Sequence, residues 1–189
     1  MIFNKHSNLQ GEHAFLGASK YHWVNYNEDK LRRAYATRQA TLRGTQLHEL
    51  AAQLISLEVR LPDEPKTLNL YVNDSIEYGM TPEQPLFYSR NSFGTADAIA
   101  FDNDILRVND LKTGAMEASF KQLEIYAALF CLEYDVSPND IAMLLSIYQS
   151  NAVRLERVEA DDIFHIMDKI VTFDRCIERM RLEDREKLA

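Results

Sequence analysis

The sequence has few cysteines and no long apolar run, and both shortages exclude classes of protein. Cys131 and Cys176 are the only cysteines among 189 residues, so a single chain cannot supply the four thiolates of an iron–sulfur cluster or an all-cysteine zinc site. Both lie in apolar, helix-like segments, and we predict that both are reduced core residues. No stretch of about 18 apolar residues occurs. We therefore predict a soluble protein with no membrane partner and no iron–sulfur cluster.

The sequence also lacks an export signal and an overall excess of positive charge. Its first residues show neither the apolar run nor the cleavage site of a secretory signal, which predicts a cytoplasmic protein. The net charge of −8 means that nucleic-acid binding would need a local excess of Lys and Arg. Such an excess lies where six basic residues face only Glu28 and Asp29. The six are Lys20, Lys30, Arg32, Arg33, Arg38 and Arg43. This segment is either a solvated helix face or a surface that follows phosphates.

Hydrophobic periodicity predicts one domain in which helices alternate with groups of strands. Residues before about 27 show no clear period. Helices are predicted over about 27–39, 44–60, 67–78 and 119–134 and from about 160 to the end. Strands are predicted over about 85–90, 93–102, 105–112, 141–149 and 152–159, the first three as an antiparallel meander.

Two of the predicted strands bring carboxylates together. If the turn between them is the two-residue loop Asn103–Asp104, Asp97 lies directly opposite Asp110. Lys112 follows two residues after Asp110, so it lies on the same face of the strand. Like charges in directly opposite positions are destabilising, and a divalent cation held by both carboxylates would offset that repulsion. The pattern predicts either a magnesium or manganese site or a surface ion-pair cluster.

Two segments resemble the paired motifs of the RecB-like PD-(D/E)XK nucleases. They are Gly94-Thr95-Ala96-Asp97 and Asp110-Leu111-Lys112-Thr113-Gly114. The resemblance implies that Asp97 and Asp110 bind Mg²⁺ or Mn²⁺ and that Leu111 lends its backbone carbonyl as a further ligand. It also implies that Lys112 positions or activates the attacking water.

Further residues match positions that the same family often carries. His48, in Gly44-Thr45-Gln46-Leu47-His48, would be an additional metal ligand, and Gln122 and Tyr126 would be catalytic residues on the next helix. His48 and Tyr126 also fit structural positions in a core, and Gln122 fits a capping box with Ser119. Glu49 is a weaker ligand candidate, because it points about 100° away from His48 on the same helix.

The resemblance covers about residues 44–150 and implies a fold and an activity. The fold would be α/β (α+β), with a restriction-endonuclease-like αβββαβ core and extra N- and C-terminal helices. The single nuclease domain would contain a helical arm (1–43), the nuclease core (44–150) and a strand with a C-terminal helix (151–189). The implied activity is metal-dependent hydrolysis of DNA in a bacterial or phage-infected cytoplasm. Similarity to the lambda exonuclease branch favours an exonuclease that acts from ends.

Several alternatives remain open at the level of sequence. The sequence does not distinguish DNA from RNA, and a homo-oligomer is one way for so small a subunit to stay on its substrate. No Gly-rich phosphate loop is present, so the chain is not a helicase motor. The alternative function is a non-cleaving nucleic-acid-binding or protein-interaction module on the same scaffold.

Overall fold

The five strands of this α/β protein form one mixed sheet, and its helices pack around that sheet. The computed structural model describes residues 3–188. The α-helices are α1 (Glu28–Ser56), α2 (Thr67–Glu77), α3 (Lys121–Tyr134) and α4 (Ala160–Leu188). The strands are β1 (Thr81–Ser89), β2 (Ser92–Asp102), β3 (Ile105–Leu111), β4 (Ala142–Gln149) and β5 (Ala152–Val158). Short 3₁₀ helices span Ser7–Leu9, Ala18–Asn25 and Pro138–Asp140.

The sheet keeps its strands in chain order, from β1 at one edge to β5 at the other. Neighbouring strands are antiparallel except β3 and β4, which are parallel. A parallel pair needs a long crossover connection, and α3 provides it. The predicted order of three strands, a helix, two strands and a helix is therefore confirmed.

The chain divides into two compact units, Met1–Gln46 and Leu47–Ala189. The first, here called the N-terminal unit, contains two of the 3₁₀ helices and the first part of α1. The second, here called the sheet unit, contains the whole sheet and the other α-helices. That the chain acts as one nuclease domain stays a prediction.

Helix α1 runs without a break, so the prediction of two helices separated near Gly44 is wrong. A glycine inside a helix costs only about 1 kcal/mol, which the rest of a long helix can offset. Three threonine hydroxyls donate hydrogen bonds to carbonyl groups one turn earlier, as Thr45 does to Thr41. The helix ends at Ser56, about four residues before the break predicted at Leu61.

Both faces of the sheet are covered by helices. One face packs against α3 and the start of α4, through buried residues such as Leu106, Leu123 and Ile163. The other face packs against α2 and the last part of α1, through residues such as Ala51 and Val72. This burial removes apolar surface from water, and it holds the ends of β2 and β3 between two rigid layers.

Strand β1 begins at Thr81, four residues before the predicted start. Pro82 and Pro85 made this segment look like a loop, because proline cannot donate a ladder hydrogen bond. As β1 is an edge strand, it tolerates proline on the side that has no partner. The correction adds Glu83 to the sheet.

The predicted register of the β2–β3 hairpin is confirmed. Ala98 pairs with Asn109, and the pairing continues regularly to the turn. Asn103 and Asp104 have φ values of 48° and 58°, as a two-residue hairpin turn of the primed type requires.

The prediction that both cysteines are core residues is right for one of them. Cys131 of α3 is buried, whereas Cys176 of α4 is exposed. The difference arises because α4 packs on the core only through its first half: Ile170 is partly buried against the core, but Phe173 and Met180 are exposed. Among the described residues, no helix is long and apolar enough to cross a membrane.

Candidate metal centre

A row of three carboxylates crosses β1, β2 and β3. Glu83 faces Asp97, because the pairs on either side, Pro82 with Ala98 and Gln84 with Ala96, are in register. On the other side, the β2–β3 ladder ends at the pair of Ala98 with Asn109, one position short of Asp97 and Asp110. Like charges on neighbouring strands destabilise their pairing, so these carboxylates require compensation.

Three side chains, two from the strands and one from α1, converge closely enough to hold a metal ion. His48, Glu83 and Asp97 each offer a ligand atom, and the three atoms lie within 4.8 Å of one another. His48 Nδ1 lies 3.3 Å from Asp97 Oδ2. Two carboxylates and one imidazole form a donor set that suits a divalent cation.

Asp97 is fixed in place by the backbone of the neighbouring strand. The backbone N–H of Leu111 donates a hydrogen bond of 2.9 Å to Asp97 Oδ2. The Leu111 side chain is fully buried, which anchors that donor. The predicted role of the Leu111 carbonyl as a ligand stays a prediction.

Asp110 is a buried carboxylate with Lys112 as its ion-pair partner. The residue is only 1% exposed, and Lys112 Nζ lies 2.9 Å from Oδ1. Among the described residues, neither oxygen of Asp110 has a further hydrogen-bond partner. A buried charge that lacks hydrogen bonds is costly unless a further cation compensates it. Asp110 is not part of the three-residue ligand group described above.

A hydrogen-bonded chain leads from Lys112 to Tyr126. Lys112 Nζ donates to Gln122 Oε1 at 3.0 Å, and Gln122 Nε2 donates to the Tyr126 hydroxyl at 3.0 Å. The capping-box alternative for Gln122 is therefore wrong, since its side chain bonds to Lys112 and Tyr126 and not to the Ser119 backbone. The Ser119 hydroxyl does accept a hydrogen bond of 3.2 Å from the backbone N–H of Lys121. Tyr126 lies against Gly94 so closely that a Cβ there would be 2.9 Å from Tyr126 Cε1. The glycine of the first motif is thus needed to accommodate the tyrosine.

The pKa shifts in the site follow from burial and excess negative charge. Burial raises the pKa of Asp110, the charge of Asp97 raises it further, and Lys112 opposes both. Burial and Asp97 likewise raise the pKa of Glu83. The hydrogen bond to Asp97 raises the pKa of His48 above its ordinary value, against the effect of burial. In all three groups the pKa is shifted upward, which is the direction expected where negative charge is in excess.

Glu83 is the candidate ligand that the sequence did not reveal. Its φ of 49° lies in the left-handed region, which costs a non-glycine residue about 1–3 kcal/mol. Such strain inside a strand persists only where the surroundings enforce it, and functional sites are a common location. An edge strand containing two prolines was the available signal. Glu49, the weaker candidate from the sequence, does not belong to the ligand group.

The six basic residues of the sequence prediction lie in the N-terminal unit, where only some of them are close together. Lys20 and Arg38 line one cleft, and Lys30 Nζ lies 4.5 Å from the centroid of the Tyr26 ring, which lines the same cleft. Arg32 instead forms an ion pair with Glu28. Arg33 and Arg43 are exposed on α1.

No protein-family model matches this chain, and no curated protein is significantly similar to it. A functional conclusion therefore depends on the chemistry of the residues described above.

Replacing Glu83 by glutamine should stabilise the metal-free protein and weaken its response to metal, because it removes one repelling carboxylate and one ligand. For the unmodified chain, a hundredfold excess of Mn²⁺ over its dissociation constant should add about 2.7 kcal/mol. This corresponds to a rise of roughly 5–10 °C in melting temperature. Thermal unfolding with and without Mn²⁺ would measure both effects. Glu49→Gln is the matched control and should keep the full metal response. An equal response in Glu83→Gln would show that Glu83 is not a ligand.

Metal affinity should increase with pH through the neutral range. A cation competes with the proton on His48, and the pKa of His48 is raised above 6.5. The affinity should therefore fall about tenfold for each pH unit below that raised pKa and level off above it. Calorimetric titration with Mn²⁺ between about pH 6 and pH 8 would measure this dependence. His48→Asn should flatten it, and an unchanged slope in that variant would assign the titration to another group.

Proposed function

We propose that this chain is a metal-dependent nuclease of the PD-(D/E)XK type that hydrolyses phosphodiester bonds in DNA. The observation that carries the proposal is the buried carboxylate of Asp110, which has no hydrogen-bond partner besides Lys112 among the described residues. On the neighbouring strand, Asp97 belongs to a group of residues that can hold a metal ion. A cation and a lysine next to each other are what the hydrolysis of an anionic ester requires.

The fold supports the same proposal. A helix, three antiparallel strands, a crossover helix and a parallel strand follow one another in the sheet unit. This is the αβββαβ order expected of a restriction-endonuclease-like core. The proposed site lies on β2 and β3 and on the helices that cover them, where that family would carry its active site.

We infer that the cation is Mg²⁺ or Mn²⁺. Carboxylate oxygens are the ligands that both ions prefer, and the imidazole of His48 favours manganese of the two. A bound cation would stabilise the negative charge that develops on the phosphate and lower the pKa of a coordinated water. Glu83, Asp97 and His48 would hold it, and Asp110 would complete the negative charge on that side.

Lys112 is the residue proposed to act on the reacting atoms. Asp110 and Gln122 hold its ammonium group from two directions, at 2.9 and 3.0 Å. It therefore has a third N–H that can donate to the attacking water or to a phosphate oxygen. Tyr126 keeps the Gln122 amide turned so that its oxygen faces Lys112. Gln122 and Tyr126 are positioning residues in this scheme.

Lys112→Ala should abolish most cleavage while the protein remains folded. Loss of a general acid or base, or of one transition-state donor, typically lowers the rate by about 10²–10⁴-fold. Cleavage of a fluorescent DNA oligonucleotide with Mn²⁺ would measure the rate, and circular dichroism the fold. Lys121→Ala is the matched control, since the Lys121 ammonium pairs with Glu124 on the same helix. Cleavage at the unmodified rate by Lys112→Ala would refute the assignment, and no cleavage by any form would favour a non-cleaving binding module.

We further propose that the enzyme is an exonuclease acting from DNA ends. Its net charge of −8 leaves little positive surface for holding long duplex, and no sequence-reading module is present. The resemblance to lambda exonuclease supports the same preference.

Linear DNA should therefore be degraded, while covalently closed circular DNA of the same sequence should persist. Equal amounts of both, incubated with Mn²⁺ and followed by gel electrophoresis, would test this preference. Degradation of the circle as fast as the linear form would instead indicate a non-specific endonuclease.

A further inference from the structure

The N-terminal unit contains a cleft lined by aromatic and basic side chains. Its volume is about 450 Å³, within the range of about 300–1,000 Å³ of small-molecule sites. The aromatic residues that line it are Phe15, Trp23 and Tyr26. Lys20 and Arg38 also line it, and no acidic residue does among the described lining residues. The chain as a whole has a net charge of −8, so the positive charge of this cleft is a local feature.

The aromatic side chains of the cleft do not belong to a buried core. Among residues 3–46 no side chain is fully buried, and the core of the protein begins at Ala51. Phe15, Trp23 and Tyr26 are each only partly buried. Large aromatic rings that remain partly open to solvent offer surface on which a ligand can stack.

Trp23 is held in a fixed orientation. Its indole N–H donates a hydrogen bond of 3.1 Å to the carbonyl oxygen of Gly17. Since the indole has no other polar group, what it offers to a ligand in the cleft is the surface of its ring. A preorganised ring loses little conformational entropy when a base stacks on it.

The cations are held beside the aromatic rings. The Arg38 guanidinium lies 5.6 Å from the centre of the Phe15 ring and donates a hydrogen bond to the His13 carbonyl at 3.2 Å. Lys20 lines the same cleft, without an acidic lining residue to neutralise it. Arginine and lysine in this setting are phosphate ligands, and the aromatic faces next to them suit bases.

We propose that this cleft binds a single strand of nucleic acid, with a base stacked on Trp23 and the adjoining phosphate held by Lys20 and Arg38. A base in a duplex already stacks on its neighbours, so the aromatic faces select an unpaired strand. The choice of nucleic acid as the ligand rests on the proposed nuclease function.

The cleft can be tested without catalysis, because Trp23 is the only tryptophan in the chain and its fluorescence reports on this site alone. The full chain carrying Lys112→Ala would be titrated, in EDTA, with an oligothymidylate of about twelve nucleotides. We expect saturable quenching of the Trp23 fluorescence. A fully paired duplex of the same length should quench it far less. Unchanged fluorescence at saturating oligonucleotide, or equal quenching by the duplex, would overturn the proposal.

Variants of the cleft would then be measured by the anisotropy of a labelled oligothymidylate. Trp23→Ala should weaken binding by about tenfold or more, and Trp23→Phe should recover much of the loss. Arg38→Ala should weaken binding and reduce the dependence of log K on log salt by about 0.7. Arg32→Ala, which removes a cation outside the lining of the cleft, is the matched control. Equal effects of Arg32→Ala and Arg38→Ala would also overturn the proposal.

The same oligonucleotide separates this inference from the proposed function. Cleavage by the unmodified chain with Mn²⁺, without quenching of Trp23 in the EDTA experiment, would refute the cleft and leave the nuclease assignment standing. Quenching without any cleavage would support the cleft and refute the nuclease assignment.

Discussion

The repulsion between carboxylates aligned across neighbouring strands is the constraint around which the candidate site is arranged. The two-residue turn at Asn103 and Asp104 sets the register of β2 and β3, whose pairing ends at Ala98 with Asn109, next to Asp97 and Asp110. The edge strand β1 extends the row to Glu83. Because opposed like charges destabilise a sheet, each neighbouring group that supplies a proton, a hydrogen bond or a positive charge stabilises the row.

The two helical layers supply this compensation from opposite sides of the sheet. His48 lies on α1, and its Nδ1 is 3.3 Å from Asp97 Oδ2. Gln122 lies on α3 and accepts a hydrogen bond from the ammonium group of Lys112, which lies beside Asp110. Burial of Asp110 strengthens its interactions, because charges interact more strongly where water is excluded. Among the described residues, neither oxygen of Asp110 has a hydrogen-bond partner besides Lys112.

The N-terminal unit has the opposite chemistry. It lacks buried side chains among its described residues, and its cleft combines aromatic rings with lysine and arginine. The net charge of −8 is an average over the chain, and it conceals both the cluster of carboxylates and the basic cleft. Such a separation of charge would allow an acidic chain to bind both a cation and a polyanion, each at the unit whose charge attracts it.

The sequence by itself determined most of the periodic elements and the register of one hairpin. A turn that tolerates positive φ was enough to predict how β2 pairs with β3, because that register is a local property of the hairpin. Tertiary structure decided the rest. Glu83 lies in the site because β1 is an edge strand, where proline is tolerated. Gln122 contacts Lys112 because α3 packs on the sheet. Cys176 is exposed because α4 extends past the core. Local periodicity cannot foresee such outcomes, since each depends on which residues, far apart along the chain, exclude water from one another.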